Sequence, residues 1–300
     1  MTAGDTGPIM IVGAGGMLGN ALLHDFTRRG LQAIGTVRRA PAADDPWFAG
    51  LTVLPDMDLD DPTGIEAAIE ATRPRWIVNC AARRNLDPDE AGSAAAMLAI
   101  NARLPHRLAD VASLCSARLV HISTDGVFDG TSAPYDEHSP PSPADLYGRS
   151  KLAGEPVGDH VLTLRLSLIG RSPAGQGTLV DWLLGLPLNA GITGYARSVF
   201  SGLPVHRIAR FLAESVMARS TPPHGLLHVA GPPTSKADLI RLVLARAGRG
   251  DVVVTDDGSV AIDRTLTSVR RTEMDDPPPL SWAQMVDEMF DFYAQRGIAD

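Results

Sequence analysis

Ile9-Met10-Ile11-Val12-Gly13-Ala14-Gly15-Gly16-Met17-Leu18-Gly19 runs from four apolar residues into a glycine-rich turn, and residues 20–29 continue in helical pattern to a stop at Gly30. The run reads as strand, tight loop and helix. In that context Gly-x-x-Gly-x-x-Gly at Gly13, Gly16 and Gly19 has physical meaning. Glycines let the backbone approach a pyrophosphate, with Met17 and Leu18 of the same loop expected at the cofactor, and the helix amino terminus offers unpaired N–H groups and the positive end of the helix dipole. The plain alternative is a glycine-rich turn that binds nothing.

The alternation continues. Residues 32–37 and 51–54 read as strands. Asp61-Pro62 opens a helix to residue 72, with Asp as cap and Pro in the first position. Residues 76–80, 119–122 and 161–166 read as strands, while 91–114 and 146–155 read as helical. Strands alternating with helices predict an α/β fold: a Rossmann-type doubly wound parallel sheet. After Leu168 glycine and proline break the pattern into short pieces, from Gly170 and Pro173 to Gly194. Residues 204–219, 235–247 and 281–295 still read as helices, and 226–229 and 252–254 as short strands. A smaller mixed α/β lobe is expected there, and the run 139–143, rich in proline, is expected to shape a loop beside the site.

At 300 residues and 44% hydrophobic composition the chain can bury a full core. A net charge of -8 excludes a general nucleic-acid or membrane-surface binder, which needs clustered Lys and Arg. No stretch approaches the roughly 18 apolar residues of a membrane span. Residues 1–8 lack the basic start of a secretory signal and read as a short tail. The two cysteines, Cys80 and Cys115, form no C-x-x-C or His/Cys cluster, which fits a reducing cytoplasm and no metal.

Asp145-Leu146-Tyr147-Gly148-Arg149-Ser150-Lys151 carries the chemistry. Tyr147 and Lys151 are four apart on a helix and share one face, so the ammonium is expected to pull the phenol below its usual pKa of about 10. Ser123-Thr124 ends a strand, where ligands of open α/β sheets bind. Thr124 can donate to a substrate carbonyl oxygen, Tyr147 can deliver a proton, and Lys151 can hold the ribose of a nicotinamide cofactor. By itself a Tyr-x-x-x-Lys spacing is a common surface pair; its place after the strand-end Thr124 makes the reading.

A site for NAD carries an acid roughly 20 residues past the glycine loop to bind the ribose 2′-hydroxyl. Here Gly35-Thr36-Val37-Arg38-Arg39 supplies two arginines instead, suited to a 2′-phosphate. NADP(H) is therefore expected over NAD(H), the alternative being that the arginines are ordinary surface charges. Asp58 and Leu59 are placed at the adenine, with Asp58 equally readable as a residue leading a helix.

The segments Gly13 to Gly19, Val78-Asn79-Cys80-Ala81-Ala82, Asn101, LVHISTDGVFDG (119–130, read with its leading Leu119) and YGRSKLAGE (147–155) resemble the extended short-chain dehydrogenase/reductase superfamily. Within it the chain is similar to the dTDP-4-dehydrorhamnose reductase group. Weaker echoes follow at 200–205, 225–229 and 263–271. The resemblance implies Thr124, Tyr147 and Lys151 as a catalytic trio, Ala81 and Ala82 along the cofactor cleft, and Asn101 beside it as a structural or proton-relay residue. It implies reduction of the 4-keto group of a nucleotide-linked deoxysugar. Two departures bear on the substrate: Gly126 stands where the family has Tyr, and Arg83-Arg84-Asn85 replaces more neutral residues. Arg84, Asp125, Gly126 and Val127 are the expected substrate contacts. The expected organisation is an NADP(H)-binding Rossmann domain over 1–166 carrying the catalytic residues and a substrate lobe over 167–300, with some segments returning to the first. The expected partner is a nucleotide-sugar, with a homodimer left open. Alternatives are a sugar-nucleotide epimerase or dehydratase, and a non-catalytic NADP-binding regulatory subunit like the beta subunit of methionine adenosyltransferase.

Other conspicuous residues have plain readings. His121 lies within a strand and is expected to be packed or hydrogen-bonded. Asp125 can also form a turn. Arg197, Arg264, Arg270 and Arg271 can reach a substrate pyrophosphate or serve as surface charges. Trp182 and Trp282 are expected in the core.

Overall fold

The computed structural model describes residues 7–61, 63–84, 93–175, 177–270 and 280–298. Its first half runs β1 (Ile9–Val12), α1 (Met17–Arg28), β2 (Ala33–Thr36), β3 (Val53–Leu54), α2 (Thr63–Thr72) and β4 (Trp76–Asn79). Next come α3 (Ser93–Leu98), a π-helical stretch (Ala99–Arg103), α4 (Leu104–Leu114) and β5 (Arg118–Ile122). A 3-10 turn (Asp125–Val127), α5 (Leu146–Ala153) and β6 (Val161–Arg165) complete it.

The second half holds β7 (Leu168–Ile169), α6 (Leu179–Leu184), β8 (Gly191–Tyr195), β9 (Ser198–Phe200), β10 (Leu203–Pro204) and α7 (Val205–Phe211), which continues as a π-helix over Leu212–Met217. It ends with β11 (Gly225–His228), β12 (Thr234–Ser235), α8 (Lys236–Arg246), β13 (Val253–Asp257), β14 (Ile262–Arg264) and α9 (Trp282–Ala294).

Seven strands form one sheet in the order β11-β6-β5-β4-β1-β2-β3, every neighbouring pair parallel. Strand side chains alternate, so both faces must be covered. Ile9 and Ile11 of β1 face a core shared with α1, α7, α8 and α9, while Met10 and Val12 face Ile65 and Ile69 of α2 and Leu104 and Leu108 of α4. Chain order reverses between β1 and β4, which opens a crevice at their carboxyl ends.

The carboxyl half does not stand apart: β11 extends the main sheet beside β6, and α7 packs on α1. Its own small sheets pair residues far apart in sequence, β9 with β12 and β14, and β8 with β13. Trp282 is buried and donates from Nε1 to the Pro232 carbonyl at 2.8 Å, whereas Trp182, expected in the core, is 47% exposed. Trp182 lies on the short helix α6, whose buried face is Val180, Asp181 and Leu183. Among the described residues no helix is long and apolar enough to cross a membrane, and no His, Cys, Asp and Glu group could hold a metal.

Candidate active site

The glycine loop crosses the reversal point. Gly13 has φ +87°, and a Cβ there would stand 3.1 Å from the Ala81 nitrogen at the end of β4. Only glycine suits both demands. Gly13 N–H donates to Thr36 Oγ1 at 3.1 Å, and Gly19 leaves no room for a side chain beside the Gly13 carbonyl. Gly16 caps α1 without a side-chain hydrogen bond, and the first turn carries no acid. The positive end of this 12-residue helix is thus unopposed, and Gly16, Met17 and Leu18 line the cleft, a fit for an anionic pyrophosphate.

Beyond the loop a pocket of about 450 Å³ gathers Arg38, Asp58, Leu59, Asp60, Ala82 and Arg83. Arg39 is exposed and does not line it. Ala81 is buried under the loop, its N–H donating to Asn79 Oδ1 at 3.1 Å, so Ala82 alone of the two alanines lines the cleft.

On the other side a cleft of about 530 Å³ brings Thr124, Tyr147 and Lys151 together with the glycine loop. Helix α5 is seated there by local rules. Asp145 caps it, accepting from Gly148 N–H at 2.7 Å. A Cβ on Gly148 would collide with the Gly126 carbonyl, so its absence lets α5 rest directly on the 3-10 turn. Thr124 caps that turn: its Oγ1 accepts from Gly126 N–H at 3.0 Å, its hydroxyl donates to Asp125 Oδ1 at 3.2 Å, and it hydrogen-bonds the Tyr147 phenol.

Asn101, expected beside the cofactor as a structural or proton-relay residue, takes a structural place. It is fully buried in the π-helical stretch and lines neither pocket. Its Oδ1 accepts from Arg83 N–H at 2.8 Å, and its Nδ2 donates to the Arg83 carbonyl at 2.7 Å and to Ser150 Oγ at 2.9 Å. It ties the segment after β4 to α5, with both Nδ2 hydrogens spent on that tie.

Beneath the cleft lies a buried ionic layer. Arg165 grips Glu155 with two bonds, Nε at 2.9 Å and Nη2 at 2.7 Å, and Ser123 Oγ donates to the same carboxylate at 2.6 Å. Lys151 is 1% exposed and donates from Nζ to the Ile122 carbonyl at 2.7 Å. Burial lowers Lys151 to about 8, against the Glu155 charge, which favours the ammonium. His121, fully buried, is pushed by burial and by the charges of Lys151 and His106 well below the usual 6.5, and is neutral. Burial holds the Asp125 carboxyl above its usual range despite Arg264 and hydrogen bonds from Thr124 and Ser167.

Tyr147 also departs from expectation. Burial raises its pKa above the usual 10; Arg84 and the Thr124 hydrogen bond act downward, while Asp125 and Asp145 add to the rise. Spacing along α5 put Lys151 on the same face, but its ammonium is engaged at the Ile122 carbonyl, and desolvation of the phenol outweighs the cations near it.

Arg84, Asp125 and Gly126 line the cleft, as does Arg264, whose Nε donates to the Phe128 carbonyl at 2.9 Å. Val127 does not: it is fully buried against Phe128, Tyr135 and Leu266. Arg197 is outside the lining, and Arg270 holds the His224 and Leu226 carbonyls at 2.9 and 2.8 Å. Arg271 and Asn85 fall outside the described residues. Sequence reasoning missed Asp145, Ser167, Ser172 and Thr178 in the lining. Asp145 was readable as a helix cap, whereas the others sit in stretches without periodicity.

Over about half of its length the chain resembles proteins of two kinds. It is 41% identical over 147 residues to dTDP-4-keto-6-deoxy-D-glucose reductase of Streptomyces niveus, covering 49% of this chain and 45% of that protein. It is 37% identical over 146 residues to methionine adenosyltransferase 2 subunit beta of Xenopus laevis, covering 49% of this chain and 41% of that protein. The match thus spans less than half the length of these relatives. Among solved structures, dTDP-4-dehydrorhamnose reductase of Bacillus anthracis in complex with NADP superposes with a TM-score of 0.75, covering 95% of this chain and 99% of that one at 22% identity, and shares the fold. The family model described as the RmlD substrate binding domain matches residues 7–171, more than half of the 300, and the chain belongs to that family.

Proposed function

We propose that this protein is an NADPH-dependent reductase of the 4-keto group of a nucleotide-linked deoxysugar. The observation that carries the reading is the meeting of Thr124, Tyr147 and Lys151 with the uncapped amino end of α1 in one cleft. The likeness to a keto-deoxysugar reductase over 49% of the chain supports it. A reduced nicotinamide held in this cleft would supply the hydride to the carbonyl carbon. Thr124 orients the carbonyl oxygen, and Tyr147 gives that oxygen its proton, so that the ketone becomes an alcohol. Lys151 positions the nicotinamide ribose. Arg38, in the pocket beyond the loop, supports NADPH over NADH by binding a 2′-phosphate.

The test is turnover. Purified protein given a panel of 4-keto deoxysugar nucleotides should oxidise NADPH, and Tyr147→Phe should lose at least 100-fold in kcat, as removal of a general acid does at roughly 10²–10⁴-fold. Equal rates in the Phe variant would refute the assignment. A second reading is motivated by the likeness to methionine adenosyltransferase 2 subunit beta: a cofactor-binding regulatory subunit. Tight NADP(H) binding with no turnover of any keto sugar would favour it.

A further inference from the structure

Lysine is rare in this chain: of 27 Lys and Arg residues only Lys151 and Lys236 are lysines. Elsewhere positive charge is carried by arginine, which does not lose its proton in proteins. At Lys151 the exception is fully buried, with Nζ donating to the Ile122 carbonyl at 2.7 Å. The next polar atom is His121 Nε2, 3.4 Å away.

A main-chain donor decides where the proton on that imidazole sits. Ala81 N–H donates to Asn79 Oδ1 at 3.1 Å, and a peptide N–H cannot be reversed. Asn79 therefore turns its Nδ2 toward His121 Nδ1, 3.1 Å away, across the register pair Asn79↔His121 of β4 and β5. Nδ1 must accept, so the neutral ring carries its hydrogen on Nε2, aimed at Nζ. While Lys151 is an ammonium, donor meets donor. Once it is an amine, its lone pair accepts a hydrogen bond.

We propose that His121 is a positioning residue that favours the neutral amine of Lys151, through a relay running from Ala81 N–H through Asn79. Its consequence for catalysis rests on the reductase reading above: it sets the pH at which Lys151 carries charge in the cleft. The other groups facing the pair are few. Glu155 just past α5 favours the ammonium, as does Cys80 past the end of β4, and His106 on α4 disfavours charge on His121. Burial places Lys151 at about 8, within reach of that relay.

Two lysines make the test direct. In protein labelled at lysine ε-carbon and ζ-nitrogen, NMR titration gives two signals, assigned with Lys236→Arg. The wild-type Lys151 midpoint is expected near 8. His121→Phe removes the donor, and His121→Gln can turn its amide oxygen to Nζ; both should raise the midpoint by about one unit, a tenfold gain in proton affinity. If His121 instead accepts from Nζ, Phe lowers the midpoint and Gln leaves it unchanged, and the proposal falls. The wild type gives a check that needs no variant: imidazole nitrogen shifts should show His121 protonated at Nε2 and bare at Nδ1, and the reverse tautomer overturns the relay. Neither readout uses substrate, so absence of ketone reduction would overturn the reductase reading while these titrations still decide the relay.

Discussion

Glu155→Gln removes one charge from the ionic layer under the cleft and leaves its partner behind. The side chains of Arg165 and Glu155 are 4% and 13% exposed, and their contact is bidentate. Breaking a buried pair by removing one member costs about 3–5 kcal/mol, because the remaining charge is left without compensation. The amide oxygen of Gln still accepts one bond, which places the expected loss near the lower end, about 3 kcal/mol. With unfolding entropy of about 2.1 cal/mol/K per residue, that corresponds to a Tm lowered by on the order of 5 °C. Urea titration at pH 7 should show the midpoint falling at unchanged slope, and the loss should persist in 1 M salt, since screening acts weakly on buried pairs. A second readout follows from Lys151. Its folded pKa of about 8 lies below the unfolded value, so the wild type gains stability as pH rises from 8 toward about 10.4. Without Glu155, which favours the ammonium, that gain should begin at lower pH. The double variant Glu155→Leu/Arg165→Met, which leaves neither charge, should be more stable than Glu155→Gln. A loss below about 1 kcal/mol in Glu155→Gln would mean the pair behaves as an exposed one and would refute the reasoning.

Arg38→Ala should weaken NADPH by about 1.5–3 kcal/mol, roughly 10–150-fold, and leave NADH within twofold, measured by isothermal titration. Arg39→Ala should leave both cofactors within twofold, because Arg39 lies outside the pocket; equal loss for both cofactors in Arg38→Ala would retire the 2′-phosphate assignment. His24, lowered to about 4 chiefly by burial and then by the Arg296 and Arg28 charges, contributes a stability that is present above pH 6.5 and lost as pH falls toward 4, since the unfolded chain takes up the proton first. His24→Gln should flatten the stability curve across that window, and superimposable acid limbs for variant and wild type would contradict the burial argument.

The regular half of the fold was legible because its signals are local. The apolar run at Ile9–Val12, the glycines after it and the Asp61-Pro62 helix start each act within a few residues, and the structure places the corresponding elements within two or three residues of the expected bounds. The small sheets were not, because β9 at Ser198–Phe200 finds its partners at Thr234–Ser235 and Ile262–Arg264, and no periodicity survives in strands of two or three residues. At the site, motif residues came out together in one cleft except where burial decides. Val127 and Asn101 belong to the right segments, but their side chains point into packing and into Arg83 and Ser150. Spacing reports which residues share a helix face; it does not report which hydrogen bonds they spend.

The Tyr147 phenol illustrates what that difference means for chemistry. A phenol raised by burial is fully protonated at pH 7 and available as a donor, but it is a weaker acid, and general acids work best with pKa values near the working pH. The phenolate left behind after proton transfer would sit desolvated beside Asp125 and Asp145, both of which oppose it. Among the described residues three cations line the same cleft: Arg84, which already acts downward on the phenol, Lys151, whose ammonium is held at the Ile122 carbonyl, and Arg264, whose Nε is held at the Phe128 carbonyl. If the proposed reaction runs through Tyr147, stabilisation of its phenolate falls first to Arg84, the one of these cations that already favours its charged form.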